Sequence, residues 1–206
     1  MNVDGKSYQS IWTDASNPEV IRYINQLKLP FEFEISELKT SEDALYAISE
    51  MKVRGAPLIG VTGAFGIYLA CLEAESEGEA HLQSRAEQLR SARPTAVNLT
   101  FSVDRVLAKI RPLDDPRKRS WAALEEAVSM MEEEKEASFR IGQEGLKLIR
   151  SMHARKLEGS KHSGDASDTL NILTHCNAGW LACIDHGTAT APVYAAHDEG
   201  IPVHVW

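Results

Sequence analysis

The 206-residue chain predicts an α/β fold: small N-terminal antiparallel strands plus helices, followed by the start of a Rossmann-like parallel-sheet domain. Three observations predict it. Short aromatic and β-branched runs, broken by Asn17-Pro18 and Pro30, fill residues 7 to 38. A helical period of apolar residues then holds from Thr40 to about residue 155. Last, LNILTH, about 20 helix-compatible residues ending at Gly200, and IPVHVW read as strand, helix and strand, one βαβ unit.

In chain order, YQSIW, EVIRYI and FEFEISEL suit an antiparallel meander, although the middle run fits a helix equally well. Ser41 is placed to cap the first helix, with Glu42 and Asp43 in its first turn and Ala44, Leu45, Ile48 and Met51 as its apolar stripe. Periodicity predicts further helices at about 57–76, 79–91, 95–110 and 117–155, the last interrupted near Gly142 or Gly145. EGSKHSGDASD, residues 158–168, is polar and aperiodic and reads as a mobile linker. It separates a strand-plus-helix domain, 1–157, from a βαβ unit, 169–206. A parallel strand at the last residue has no helix after it to cover it. The expectation is therefore a fragment of a longer α/β protein, or a chain that a partner completes.

With 22 basic and 30 acidic residues the formal net charge is −8, which argues against a nucleic-acid or anionic-membrane surface. A small phosphorylated ligand stays open, because two or three placed arginines suffice to build a local anion site. Three cysteines, an odd number, suit a reducing compartment better than a disulfide framework. The amino terminus lacks an apolar signal core, and no stretch approaches transmembrane length. These features lead to the expectation of a soluble cytoplasmic protein.

Three motifs carry chemistry. In KVRGAPLIGVTGAFG, Arg54 and Gly55 precede Pro57 at a helix start. Unpaired N–H groups beside a guanidinium make a phosphate cradle; the alternative is a loop arginine before a helix packed tightly through Gly60, Gly63 and Gly66. In SARPTAVNL, Arg93 again stands before a proline and a helix start, so two such junctions can grip one phosphate from two sides. In NILTHCNAGWLACIDHG, Cys176 falls where a strand ends and a helix begins, the usual ligand crevice of an open α/β sheet. A helix start there would favour thiolate. A buried structural cysteine is the alternative. A metal site from His175, Cys176, Cys183 and His186 matches none of the common zinc spacings, and Cys71 and Cys183 suit the core. The single Gly179 fails the three-glycine dinucleotide fingerprint.

MKVRGAPLIGV, SARPTAVNL and THCNAG with its downstream HGTA closely resemble the methylthioribose-1-phosphate isomerases of methionine salvage, in the same order through residues 8 to 206. That superfamily also holds ribose-1,5-bisphosphate and 5-deoxyribose-1-phosphate isomerases and regulatory subunits of a translation-initiation exchange factor. The resemblance implies aldose–ketose isomerisation of a small phosphorylated sugar by an enzyme needing no cofactor or metal, a homodimer when intact. It implies substrate binding by Arg54, Gly55, Ala56 and Arg93, and catalysis by Cys176. Family members pair this cysteine with an aspartate, and complete the site with a glutamine and an Asn-Lys pair, in a carboxy-terminal portion beyond Trp206. The 206 residues alone are therefore expected to be inactive, and a non-catalytic regulatory role is the second reading.

Overall fold

The computed structural model describes residues 1–14, 17–163 and 168–206. A hairpin that the sequence reading passed over opens the chain: β1 (Asn2–Val3) pairs with β2 (Lys6–Ser7). Asp4 and Gly5 turn it with φ of 49° and 78°, as a two-residue Asp-Gly hairpin loop requires. Strands β3 (Ile11–Asp14), β4 (Asn17–Ile24) and β5 (Ile35–Leu38) form the expected antiparallel meander with β4 central, so the ambiguous middle run is a strand. Ile11, Ile21, Tyr23 and Leu38 turn inward. The FEFE stretch stays outside the sheet.

Helix α1 (Ser41–Ser49) is capped by Thr40, not Ser41. The Thr40 hydroxyl accepts the Asp43 N–H at 3.1 Å while the Asp43 carboxylate accepts the Thr40 N–H at 2.9 Å, a reciprocal capping box. Ser41 is buried one position later, and donates its N–H and hydroxyl to Glu73 at 2.7 and 2.5 Å.

Helix α2 (Ala56–Glu77) corrects the expectation that no stretch approaches transmembrane length: by length and composition it is long and apolar enough to span a bilayer. Its apolar window is 78% buried by α1, α3, α4 and α5, so it serves as the central core helix, which is why it is apolar all round. Its glycines admit the neighbours. A Cβ on Gly63 would lie 2.5 Å from Leu99 Cδ1, and one on Gly60 would lie 2.7 Å from Ser102 Oγ and 3.1 Å from the Asn98 carbonyl. Helix α3 (Glu79–Ser91) matches its expected span. Helix α4 (Val97–Ile110) starts later than expected: Pro94 sits in a turn that the Ala96 N–H closes on the Arg93 carbonyl at 2.9 Å.

Helix α5 (Pro116–Ser163) runs unbroken through Gly142 and Gly145. It also carries the first part of the expected linker, 158–163, as helix; residues 164–167 lie outside the described residues. Strands β6 (Leu170–Ile172) and β7 (Val203–Val205) pair in parallel, as expected. The long helix expected between them is absent. A 3-10 turn at Trp180–Ala182 and a short α6 (Ala191–Asp198) stand there instead. His186 and Gly187, with φ of 60° and 78°, break the helical path, and the backbone at Cys183 and Ile184 is taken up by Ser10. The β6 run is buried on one side only: Leu170 packs with Leu146, Ile149 and Ala196, whereas Leu173 is 84% exposed.

The α5 glycines owe their place to α6. A Cβ on Gly145 would sit 2.3 Å from the Pro192 ring, while one on Gly142 would find Ala191 at 3.3 Å. Overpacking costs about 1–3 kcal/mol and the glycine-to-alanine gain in helix propensity is about 1 kcal/mol. Gly145→Ala is therefore expected to lower stability by about 1 kcal/mol and Gly142→Ala to leave it unchanged or raise it. Urea unfolding of the two variants checks this; equal effects would contradict the close approach.

Candidate functional site

The first motif forms a tight turn into α2. Gly55 has φ 94° and ψ 140°, and its carbonyl accepts the first helical bond, from the Ile59 N–H at 2.9 Å. Its Cα faces Ala182 so closely that a Cβ would lie 2.4 Å from both the Ala182 Cβ and carbonyl oxygen. Only glycine has both the conformation and the room. This contact joins the Arg54-Gly55-Ala56 turn to the segment that begins at Cys176. The N-terminal strands hold the same segment: the Gln26 side-chain amide donates to the Leu181 carbonyl at 2.6 Å, and the Ser10 N–H to the Ile184 carbonyl at 3.0 Å.

The second motif comes to the same end of the helix pair, since Gly60 in α2 rests on Asn98 in the first turn of α4. Neither Arg54 nor Arg93 has a carboxylate partner among the described residues, unlike Arg22, Arg85, Arg90, Arg105, Arg119 and Arg150. Arg54 shares that state with Arg111 and Arg117, all three being solvent-exposed. Arg93 differs in that its Nη1 is buried with no hydrogen-bond partner. Leaving a buried donor unsatisfied costs about 1–3 kcal/mol, more for a charged group, and a bound anion would relieve that cost. Arg93 stands in a turn four residues before α4, further from the helix start than the sequence suggested.

Cys176 leaves the carboxyl end of β6. The Thr174 N–H donates to the Trp206 carbonyl at 3.1 Å, which keeps the strands paired almost to the cysteine. Cys176 is exposed, with φ 78°, a left-handed conformation uncommon for any residue with a side chain. The expectation that a helix starts here is overturned, because α6 begins at Ala191, so no helix dipole acts on this thiol. The chain past the thiol is instead a fixed loop, in which the Ala178 carbonyl accepts from the Thr188 N–H at 2.9 Å and from the Thr190 hydroxyl at 3.3 Å.

Cys71 and Cys183 are buried. Burial pushes the Cys71 thiol up to about 12 and, with Glu134 adding to it, the Cys183 thiol up to about 11. Both are inert core thiols at neutral pH. Cys183 closes the 3-10 turn and His186 sits in the positive-φ bend, so neither lies on a helix as expected. Among the described residues no three His, Cys, Asp or Glu side chains converge as metal ligands.

The sequence reading missed a carboxylate cluster beside the starts of α2 and α4. Arg105 holds Glu126 through Nε at 2.6 Å and Glu133 through both terminal nitrogens at 2.7 Å. The fork holds the Glu133 carboxyl down at about 2, while burial and then Glu133 itself push Glu134 upward. Since folding depresses Glu133, its contribution is complete above the usual 4.5 and is lost as pH falls toward about 2. Half exposure discounts it to about 1 kcal/mol. Unfolding followed from pH 5 to pH 2 should show this loss in the wild type and a flatter profile in Glu133→Gln.

Known proteins share this architecture. Residues 52–206 match the model of the initiation factor 2 subunit family. A methylthioribose-1-phosphate isomerase from Desulfatibacillum aliphaticivorans is 46% identical over 211 residues, covering 100% of this chain and 54% of that protein. Two crystal structures are similar. A 5-methylthioribose 1-phosphate isomerase from Pyrococcus horikoshii has a TM-score of 0.79 at 28% identity, with 98% of this chain and 52% of that one covered. A translation initiation factor eIF-2B delta subunit from A. fulgidus has a TM-score of 0.76 at 32% identity, covering 97% and 54%. The chain spans about half the length of the relatives it matches.

Proposed function

The chain belongs to the initiation factor 2 subunit family, and from that premise we propose that the protein carrying it is an aldose–ketose isomerase that converts 5-methylthioribose 1-phosphate to 5-methylthioribulose 1-phosphate. The observation that carries the reading is the contact of Gly55 with Ala182, which packs the turn that bears Arg54 against the segment leading from Cys176.

The chemistry asks for that neighbourhood. A phosphate on the anomeric oxygen prevents the ring from opening as a free sugar does, so the enzyme must assist opening and then move hydrogen from C2 to C1. Arg54, the N–H groups at the start of α2, and Arg93 hold the phosphate, and the held phosphate fixes where C1 and C2 lie. Cys176, exposed beyond β6, exchanges protons at those carbons. We extend the proposal to a cytoplasmic protein, since three cysteines, an odd number, suit a reducing compartment, and to a homodimer, as the family resemblance implies.

The test is an NMR assay of the complete protein with methylthioribose 1-phosphate, watching for a ketose 1-phosphate. Arg54→Ala and Arg93→Ala should each weaken binding by about tenfold or more, by calorimetry. Unchanged affinity in both contradicts the cradle. The similarity to the archaeal translation factor subunit favours a second reading, a regulatory subunit that binds a sugar phosphate without turning it over. Binding without any product would decide for it.

A further inference from the structure

We propose that the cavity between the starts of α2 and α4 receives the 5-substituent of the sugar phosphate, and that Phe101 forms the wall that selects an apolar one. The inference rests on the isomerase reading above. The cavity measures about 300 Å³; Pro57, Val61, Phe101 and Met130 supply the apolar part of its lining, and Asn98, Ser102, Arg105, Glu133 and Glu134 the polar part. Pro57 directly follows the Arg54-Gly55-Ala56 turn, so a sugar held there by its 1-phosphate lies alongside the opening. Val61 and Met130 are buried and form the floor, whereas Phe101 is 60% exposed at the rim. An exposed ring at the apolar part of an open cavity offers a face to a thioether, and sulfur meets an aromatic ring favourably.

Charge adds a second filter. Glu133 and Glu134 line the same cavity, and the guanidinium there, Arg105, is already engaged by Glu126 and Glu133. A 5-phosphate would meet carboxylates and no free cation, while a methylthio group loses no hydrogen bond on entry.

The experiment measures kcat/KM of the complete protein for 5-methylthioribose, 5-deoxyribose and ribose 5-phosphate, each as its 1-phosphate, in the wild type, Phe101→Ala and Phe101→Leu. In the wild type the methylthio sugar is expected to rank first and the bisphosphate last. Loss of one apolar wall should lower kcat/KM for the methylthio sugar by about 10-fold in Phe101→Ala and leave the 5-deoxy sugar within about threefold, with Phe101→Leu restoring most of the difference. Phe101 is exposed enough that a thermal melt should show folding intact. A methylthio-to-deoxy ratio that moves less than about threefold in Phe101→Ala, or a wild type that prefers the bisphosphate, overturns the inference alone. A wild type that turns over none of the three overturns the isomerase reading and the inference with it.

Discussion

Cys176→Ser in the complete protein is expected to lower turnover of methylthioribose 1-phosphate by about 100-fold or more while leaving its affinity within about threefold. A serine hydroxyl is nearly the size of the thiol but far less acidic, so it keeps the contacts and loses the proton transfer. The site is exposed, so folding should be unaffected by the exchange. Backbone conformation sharpens the argument. At φ 78° a cysteine bears strain that glycine would not, so conformation alone gives no reason for a thiol here. Cys176→Gly is therefore expected to match or exceed wild-type stability and still lose turnover. Near-normal turnover in Cys176→Ser would return Cys176 to a structural residue, and rapid-quench kinetics beside binding by calorimetry separates the two outcomes.

How much of this was legible in the sequence depends on how local each signal is. The meander, α2, α3 and the parallel pair β6–β7 follow from periodicity and proline placement, which act over a few residues. The loop from Cys176 to Thr190 did not, because GWLACIDH has helix-compatible residues whose backbone is instead claimed by Ser10 and Gln26, more than 150 positions away in sequence. Gly142 and Gly145 misled in the opposite sense: in isolation they weaken a helix, yet α6 packs on them and α5 continues. For the candidate site, the motifs singled out Arg54, Arg93 and Cys176, while pairing and burial lay beyond them. That Arg93 Nη1 is buried without a partner, and that Arg105 already holds two carboxylates, are facts of packing among helices distant in sequence.

Gly55→Ala is expected to cost about 3 kcal/mol, although the position has no side chain to lose. Two penalties add. At φ 94° and ψ 140° an alanine is strained by about 1–3 kcal/mol. Its Cβ would also lie 2.4 Å from the Ala182 carbonyl oxygen and 2.5 Å from its Cα, and backbone does not move aside as a side-chain tip does. The weaker partner gives way first. α2 is anchored in the core by Leu58, Phe65 and Leu69, whereas the Leu181–Ile184 segment depends on Gln26 and Ser10 for its placement. The melting temperature should fall by about 6–12 °C, at 2–4 °C per kcal/mol for a chain of this size. Amide exchange should rise first at residues 181–184, before α2 opens. Ala182→Gly removes only the Cβ from the collision, so the double variant should recover part of the loss and not all of it. Because the same contact sets the proposed anion-binding turn against the thiol segment, turnover should fall further than stability explains, at temperatures where Gly55→Ala is still folded. An unchanged melt together with unchanged exchange at 181–184 would mean that this contact does not hold the two halves of the site together.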